Sequence, residues 1–383
     1  MLRAVDLFAG CGGLSLGFQN AGIDICGAFE YWDVAANCYE LNFTHPVHRI
    51  DLSDVEATTQ IISQLFPNLI IGGPPCQDFS HAGKRIEAGR ASLTGAFADI
   101  INNIRPTYFV MENVDRAQKS QAYAYARSTF ISAGYGLTEV VLDASLCGVP
   151  QKRKRFFCIG ILGGKGNDVS PIIESRISSK PTTLRDYYGD SLGFEFYYRH
   201  PRNYSRRAIF SIDEPAPTMR GVNRPVPKGY PGHPNDACPL NDSLRALTTE
   251  ERALVQTFPK GFKWKGNKTD TEQMIGNAVP VKLAEFVASC LIEYINLETH
   301  AVSPMSFEDW LINCKNYSGR SAKDVVSRCK RSEKMLSCDG IPDAYYLFSL
   351  EQQEEYKDLS VSVRSQMKRA IELKAEYLSS NTR

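Results

Sequence analysis

The chain has 383 residues, a formal net charge of +1 and 43% hydrophobic residues, so it can bury at least one sizeable core. It contains no run of eighteen apolar residues, and its first residues enter a strand pattern directly, so neither a membrane-spanning helix nor a signal peptide is expected. Eleven cysteines without a C-x-x-C spacing disfavour a zinc site or a disulfide framework, and they fit a reducing cytoplasm.

The first segment predicts a strand over 4–8, a glycine-rich turn from Gly10, and a helix over about 14–21. Glycines let a backbone approach a ligand closely, and a helix N-terminus favours anionic groups. Glu30 lies twenty residues beyond Gly10 and ends the next strand-like run, where an acid can accept ribose hydroxyls. Ser15 replaces the third glycine of the dinucleotide pattern, which argues against a nicotinamide oxidoreductase.

Two later strand patterns end in reactive side chains. The apolar run 69–73 leads into Pro74-Pro75-Cys76-Gln77, where two prolines fix the backbone before the thiol. The pattern over 108–114 carries Glu112 near its end. A free cysteine is more often a core residue, and a glutamate is more often solvated. Because open α/β sheets build their sites at one strand edge, we nevertheless expect Cys76 and Glu112 to lie together.

Five motifs in this order resemble the C5-cytosine-specific DNA methyltransferases of prokaryotic restriction-modification systems. They are D-L-F-A-G-C-G-G at 6–13, G-G-P-P-C-Q at 72–77, E-N-V at 112–114, Q-K-R-K-R at 151–155 and G-N-A-V-P at 276–280. The resemblance covers roughly residues 2–296. It implies an α/β fold, namely the Rossmann-like sheet of S-adenosylmethionine-dependent methyltransferases with helices on both faces.

The resemblance also implies the catalytic residues. Cys76 would add to C6 of a cytosine turned out of the DNA duplex, a covalent step that makes C5 nucleophilic. Glu112 would hold a proton at N3 and the exocyclic amine of the base. Arg155 would bond the cytosine O2 and orient Glu112, and Arg153 would lie in the same pocket. Their positive charge should favour the thiolate of Cys76.

The implied methyl donor is S-adenosylmethionine, with S-adenosylhomocysteine as product and no metal. Trp32 is an alternative to Tyr31 for the face of the adenine. The residues that the resemblance assigns to the donor site are Phe8, Gly10, Cys11, Gly12, Gly13, Glu30, Tyr31, Asp51, Leu52, Pro75, Asn277 and Val279.

The implied macromolecular partner is double-stranded DNA. The polar and basic stretch 77–93 corresponds to the mobile loop of the family, which we expect to close over the flipped base. A restriction endonuclease is expected as a functional but not a necessary physical partner, and the protein is expected to act as a monomer on DNA in the cytoplasm. The predicted DNA contacts are Gln77, Ser80, Lys84, Arg85, Arg199, Arg202, Arg206, Arg207 and Arg220.

Composition predicts a catalytic domain over 1–165 plus 270–298, and a helix over about 281–297 should return to its sheet. The interval 166–269 differs in composition, being rich in Pro, Gly, Tyr and Arg. The resemblance implies that this interval is the target-recognition domain, here expected to be small and irregular. Residues 299–383 form a predicted helical extension outside the resemblance.

The extension should contain a helix after Ser306, a second over about 321–331, and one or two helices over 350–378. Seven Lys or Arg against two acids lie between 315 and 334. Because the predicted recognition interval is short, one interpretation of the extension is a small helical DNA-binding module that supplements recognition. The alternative is a bundle that packs on the catalytic domain or forms a dimer contact.

Two other functions remain open at this point. The same chemistry could act on a structured RNA such as tRNA, although the chain lacks the Cys-Phe-Thr tripeptide of the tRNA-modifying branch. A non-catalytic DNA-binding regulator should have lost Cys76, Glu112 or the glycine-rich turn, and all three are present.

Overall fold

The computed structural model describes residues 2–75, 92–203, 205–301, 305–336 and 344–380. The chain divides into two compact units, Met1–Tyr294 and Ile295–Arg383. The first unit contains all the strands described below, and the second is helical.

A seven-stranded sheet forms the centre of the first unit, in the order β3-β2-β1-β4-β5-β8-β6. Strands β1 to β5 are parallel, whereas β8 runs antiparallel to both of its neighbours. Two small pairs lie outside it, β9 with β10 and β7 with β11. The strands are β1 (Arg3–Leu7), β2 (Asp24–Phe29), β3 (Val47–His48), β4 (Leu69–Gly72), β5 (Tyr108–Val114), β6 (Tyr135–Asp143), β7 (Gln151–Lys152), β8 (Lys154–Leu162), β9 (Phe196–Tyr198), β10 (Ile209–Ser211) and β11 (Ala216–Pro217).

Ten α-helices begin in the first unit and five in the second, among the described residues. Those of the first unit are α1 (Gly13–Asn20), α2 (Asp33–Glu40), α3 (Val55–Leu65), α4 (Ser92–Ile104), α5 (Gln121–Ser132), α6 (Ser170–Arg176), α7 (Leu184–Tyr188), α8 (Thr249–Val255), α9 (Lys268–Asn277) and α10 (Val281–Ala301). Those of the second are α11 (Phe307–Asn313), α12 (Gly319–Leu336), α13 (Ala344–Glu351), α14 (Glu354–Lys357) and α15 (Val361–Ser380). Short 3₁₀ helices cover Ala117–Lys119, Ala144–Leu146 and Gly189–Leu192.

Two hydrophobic clusters hold the helices to the sheet. One joins β1, β4 and β5 to α3, α4 and α5, and its centre is the aromatic group Phe97, Phe109 and Phe130. The other joins the turn after β1 to α2, α8, α9 and the start of α10. Burial of these aromatic rings supplies much of the folding free energy of such a domain. The predicted Rossmann-like α/β fold is therefore confirmed, with a seven-stranded sheet that is parallel except for β8.

The stretch Lys268–Glu298 is long and apolar enough, by length and composition, to cross a membrane. However, 61% of its most apolar window is buried inside the protein. Its residues Leu283, Val287 and Leu291 are fully covered, as in the core helix of a globular domain.

The segment between β8 and α8 has small cores of its own. Leu184, Tyr197 and Phe210 belong to one cluster, and Tyr198 and Tyr230 belong to another. The segment's regular structure, among the described residues, is short: α6, α7, one 3₁₀ helix, β9, β10 and β11.

The second unit is built around α12, which packs against α11 and α15. Ala322, Val325 and Cys329 of α12 meet Trp310 and Leu373 in one cluster. Lys315 Nζ lies 5.1 Å from the centre of the Trp310 ring, a cation–π contact at the edge of this core.

Candidate active site and nucleic-acid interface

Glu112 and Arg155 form a buried ion pair near the end of β5 and the start of β8. Strands β5 and β8 are antiparallel, and Val114 lies opposite Arg155, so Glu112 is the diagonal neighbour of Arg155 on the same face. Arg155 Nε is 2.8 Å from Glu112 Oε1, and the side chains are 14% and 10% exposed. Burial raises the pKa of the Glu112 carboxyl, while the charges of Arg155 and Arg153 lower it. The site therefore holds a carboxyl that can keep a proton above the pH at which a solvated glutamate loses it.

The loop after β4 is fixed against this carboxyl. A Cβ at Gly73 would lie 3.1 Å from Glu112 Oε2, so the backbone passes directly beside the acid. Asn113 donates from Nδ2 to the Pro74 carbonyl at 3.1 Å and is itself buried. The end of β5 thus holds both the acid and the segment that precedes Cys76. Cys76 lies outside the described residues, as do four predicted DNA contacts, Gln77, Ser80, Lys84 and Arg85.

Arg153 is 1% exposed and lies deeper than Arg155. Its guanidinium donates to the carbonyls of Met219, Gly276 and Ala278 at 2.9, 2.9 and 3.1 Å. Burial, together with the charge of Arg155, lowers its pKa well below the usual arginine value. These bonds connect the strand bearing Arg155 to two distant segments, so its described contacts make Arg153 a positioning residue for the pair.

Gln151 and Gln256 extend this network. Gln151 donates from Nε2 to Gln256 Oε1 at 2.7 Å and accepts from the Met219 amide at 3.0 Å. Gln256 in turn donates to the Ala278 carbonyl at 3.1 Å. Buried amides of this kind are costly unless paired, and here they fix the late 276–280 motif beside the sheet edge. Neither glutamine was predicted to have a role from the sequence.

The turn after β1 provides the candidate donor site. Phe8 has φ 61° and Gly10 has φ 57°, both in the left-handed region, which is strained for a phenylalanine. Glu30 accepts from the Gly10 amide through Oε2 and from the Trp32 amide through Oε1, each at 2.7 Å. Burial raises the pKa of Glu30, and these amides lower it. The turn is thus held by the acid that the sequence assigns to ribose.

The other glycines of this turn face protein. A Cβ at Gly12 would lie 2.4 Å from the Phe43 ring, and one at Gly13 would lie 2.5 Å from the Val279 carbonyl. Cys11 is 2% exposed, and its thiol faces the Met274 carbonyl at 3.9 Å. The structure therefore uses these positions for close packing as well as for the shape of the turn. Of the three glycines Gly10, Gly12 and Gly13, only Gly10 has no atom within 4 Å of the Cβ position.

The remaining predicted donor residues differ in exposure. Tyr31 is 71% exposed, whereas Trp32 packs against the second cluster of the core. Asp51 is exposed and accepts from the Ser53 amide, and Leu52 is buried. The other three are Pro75, half-buried, Asn277, exposed, and Val279, 7% exposed.

The donor set fits a nucleoside. Each Glu30 oxygen accepts one backbone amide and keeps a lone pair for a ribose hydroxyl. Gly10 has no atom within 4 Å of the Cβ position, and Tyr31, the residue after Glu30, is largely exposed. These features match the assignment of this edge to S-adenosylmethionine.

Beneath the turn lies a buried polar chain that the sequence analysis missed. Ser15 donates to Asp6 Oδ2 at 2.6 Å, Tyr39 donates to Ser15 at 2.7 Å, and Tyr39 also contacts His45 at 2.7 Å. Asp6 Oδ1 is buried and has no hydrogen-bond partner among the described residues. Burial raises the pKa of Asp6 to about 7, a trend that Glu30 reinforces. The D-L-F-A-G motif contains Asp6, but the motif does not indicate which residue forms a hydrogen bond with its carboxyl.

Five predicted DNA contacts lie in the irregular segment. Arg202 and Arg206 are exposed, and their charges help lower the pKa of half-buried Arg220, after the effect of burial. Burial and Arg220 likewise lower the pKa of Arg199 to about 10. Arg199 donates to the Thr218 carbonyl at 2.7 Å, whereas Arg207 pairs with Glu214.

Arg224, which was not predicted as a DNA contact, contributes to the same positive electrostatic potential. With Arg220 it lowers the pKa of His200, whose largest perturbation is burial. Clustered arginines that depress the pKa of neighbouring cationic groups form a concentrated positive potential, as expected where phosphates bind.

The fold and this edge define a methyltransferase of the S-adenosylmethionine-dependent α/β class. The structure resembles that of the S. pombe Dnmt2 methyltransferase, with TM-score 0.56 and 21% identity over 77% of this chain and 99% of that one. It also resembles the Entamoeba histolytica methyltransferase EhMeth, with TM-score 0.54 and 17% identity over 78% and 99% of the two chains. At these identities the likeness concerns the fold.

Residues 2–293 match the C-5 cytosine-specific DNA methylase family, and the chain belongs to that family. It is 57% identical over 297 residues to the Type II methyltransferase M.HindV of Haemophilus influenzae, covering 76% of this chain and 97% of the relative. It is 54% identical to the Type II methyltransferase M.HgiDI of Herpetosiphon aurantiacus, covering 77% and 96%. The predicted family and the predicted enzyme class, a DNA cytosine-5 methyltransferase, are confirmed.

Proposed function

We propose that the protein methylates C5 of one cytosine within a specific sequence of double-stranded DNA, through a covalent adduct between Cys76 and C6 of a flipped-out base. The observation that carries this proposal is the buried Glu112–Arg155 pair beside Gly73, three residues before the thiol in the chain. Cytosine stacked in a duplex cannot present C5 and C6 to a side chain, so the nucleotide must first leave the stack.

The proposed reaction proceeds by addition and methyl transfer, followed by elimination. The Cys76 thiolate forms an S–C6 bond, and the ring electrons move towards N3, where the proton held by Glu112 stabilises them. C5 is then an enamine carbon and takes the methyl group. Loss of the C5 proton to water, cleavage of the S–C6 bond and return of the N3 proton to Glu112 restore the aromatic ring, the thiolate and the carboxyl. Arg155 orients Glu112 throughout and can donate to the cytosine O2.

S-adenosylmethionine supplies an electrophilic methyl group on a sulfonium. Glu30 would hold its ribose hydroxyls, the Gly10 turn its methionine portion, and Phe8 and Tyr31 its adenine ring. Asp51 and Leu52 would lie at the adenine edge, with Pro75, Asn277 and Val279 around the methionine side. The same residues would bind the product S-adenosylhomocysteine.

Sequence recognition is assigned to the segment between β8 and α8, within the predicted recognition domain 166–269. Its support is the arginine group Arg199, Arg202, Arg206, Arg220 and Arg224, which depresses the pKa of several of its members and neighbours. Exposed Arg202 and Arg206 are the strongest candidates for phosphate or base contacts. The catalytic domain, 1–165 plus 270–298, would hold the flipped cytosine and the donor.

The biological role follows from the relatives, both Type II methyltransferases. We infer that methylation protects host DNA from a restriction endonuclease of the same specificity. The enzyme would then work in the cytoplasm, as a monomer on DNA, and would need no physical contact with the nuclease.

Bisulfite sequencing of DNA from cells that express the protein will identify the target cytosine. A duplex with 5-fluorocytosine at that position should then trap the adduct, because fluorine at C5 cannot leave as a proton. We expect a denaturant-stable protein–DNA complex with the wild-type chain, and none with Cys76→Ala.

Two outcomes would contradict the proposal. One is a trapped complex that persists in the Cys76→Ala variant. The other is methyl transfer to tRNA with none to duplex DNA, which would favour the RNA enzyme instead. Unmodified duplex, carried through the same assay, controls for noncovalent complexes.

A further inference from the structure

Helix α12 of the second unit has a strongly cationic exposed face. Six basic residues and two acidic ones lie within the helix, while the whole segment 295–383 has equal numbers of basic and acidic residues. The rest of the unit is therefore net acidic, and positive charge is concentrated on one element. The exposed basic residues, called the basic face here, are Arg320, Lys323, Lys330, Arg331 and Lys334.

Helical geometry places the basic face opposite the core. At about 100° per residue, its five members fall within an arc of roughly 100°. Ala322, Val325 and Cys329, the buried residues of α12, lie on the opposite side of the helix. Exposed Ser327 lies in the middle of the basic face. The unit packs against one side of α12 and presents the other to solvent.

The cations of the basic face have no ion-pair partner among the described residues. Elsewhere in the unit several cations are paired, namely Lys315 with Glu376, Lys357 with Glu354, Lys374 with Glu333 and Arg369 with Glu372. The pairing of Lys374 occupies Glu333, one of the two acids of α12. Unpaired, parallel cations repel one another and contribute nothing to stability, so their arrangement points to an external anion.

We propose that the basic face of α12 binds phosphates along duplex DNA and adds affinity to that of the catalytic unit. The distance from Arg320 to Lys334 along the axis is about 21 Å. Duplex DNA carries one charge per roughly 1.7 Å of its axis, so several phosphates fall within that length. Hydroxyls such as Ser327 are ordinary phosphate donors. The surface lies beyond residue 293, where the family match ends, so it is an addition to the family domain.

The inference rests on the proposed function only in that DNA is the substrate. Its test uses the full chain, a fluorescein-labelled duplex of about 30 base pairs, and anisotropy measured over a range of KCl concentrations. The test variant is Lys323→Gln/Lys330→Gln/Lys334→Gln. The matched control, Lys357→Gln/Lys368→Gln/Arg369→Gln, removes the same charge from the same unit but not from the basic face. Circular dichroism and Tm establish that both variants are folded.

We expect the slope of log Kd against log salt to fall by about 2.7, since each lost phosphate contact removes about 0.9. Affinity near 0.15 M salt should weaken by about 10-fold or more, while the control stays within about twofold. A further variant, Lys323→Arg/Lys330→Arg/Lys334→Arg, keeps the charge and should bind like the wild type.

Equal binding by the test and control variants would refute the proposal. So would a loss of affinity for duplex RNA with none for duplex DNA, which would make RNA the partner. Methylation of the target duplex at low salt is measured separately. If the wild type binds DNA but transfers no methyl group, the proposed function fails while the binding comparison remains valid.

Discussion

Glu112 experiences two opposing influences at a distance of a few ångströms. Burial favours its neutral form, and the charges of Arg155 and Arg153 favour its ionised form. Burial prevails, so the carboxyl is poised to carry a proton while Arg155 keeps it aligned. A solvated glutamate could not combine these properties, because water would both ionise it and leave it free to rotate.

We therefore predict that Glu112→Gln lowers kcat/KM for the target duplex by about 10²- to 10⁴-fold, the usual contribution of a positioned acid or base. The glutamine side chain has the same shape, and its amide oxygen can still accept a weaker hydrogen bond from Arg155, so Tm should change little. Steady-state methylation over pH 6–9, with denaturation as a fold control, measures both. Activity within threefold of the wild type would rule out a proton-holding role.

Asp6 gives a prediction about stability. Its ordinary value is 3.8 and its folded pKa is about 7, so between these values the folded state holds a proton that the unfolded state has lost. The free energy of unfolding must then fall as pH rises through this window, by at most about 1.4 kcal/mol per pH unit, and level off above it.

Asp6→Asn removes that titration and still accepts from Ser15. We expect the variant to gain stability relative to the wild type as pH increases from 5 to 8. Urea denaturation of both proteins at several pH values measures the difference in their free energies of unfolding. The contributions of the other titrating groups cancel in this difference because both proteins contain them. A constant difference between the two proteins across this range would contradict the raised pKa.

Sequence reasoning reached Glu112 and Arg155 because each lies in a recognisable motif at a strand end. It could not find the chain from Asp6 through Ser15 and Tyr39 to His45, since these hydrogen bonds join elements by packing alone. The same limit applies to Gln151 and Gln256, which are far apart in sequence and meet only in the folded chain.

At the level of elements, the contact between α1 and α10 determines where the late motif lies. A Cβ at Gly17 would be 2.4 Å from Ala284 Cβ and 2.5 Å from the Val281 carbonyl, so only glycine allows this approach. The glycine-rich segment thus serves packing along α1 as well as the turn before it. The 276–280 loop sits against the turn because the two helices are this close.

We predict that Gly17→Ala destabilises the protein by about 1–3 kcal/mol, because backbone atoms must move to admit the methyl group. Gly95→Ala in α4 is the matched control. Its nearest neighbour is the Tyr125 ring at 3.4 Å, an ordinary contact, so the better helix propensity of alanine should stabilise by up to about 1 kcal/mol. Chemical denaturation compares the two, and equal effects would contradict the close contact.

The elements predicted best were those with strong local signals. The helix expected over about 14–21 is Gly13–Asn20, and the one over 321–331 is longer, Gly319–Leu336. The 350–378 stretch was expected to form one or two helices. It contains the last two residues of α13, all of α14 and most of α15. The antiparallel insertion of β8 and the pairing of β7 with β11 were not predictable, because each depends on a distant partner strand.

At the scale of the whole molecule, two units carry different surfaces. The first contains the family match, the candidate donor site and the arginine group. The second contains the basic face, and it begins at Ile295, just after residue 293, where the family match ends. Relatives that align over 97% and 96% of their own length with about three quarters of this chain indicate that the catalytic fold needs nothing further.

We predict that a chain ending at residue 301, after α10, folds and methylates the target duplex with kcat within about threefold of the full chain, because no residue of the proposed reaction lies beyond Val279. Its KM for DNA should rise and its salt slope should fall, to the extent that the basic face contributes phosphate contacts. The Lys323→Gln/Lys330→Gln/Lys334→Gln variant of the full chain is the matched comparison and should shift KM in the same direction. A truncated chain that is soluble and folded but inactive at low salt would show that the second unit is part of the catalytic machinery.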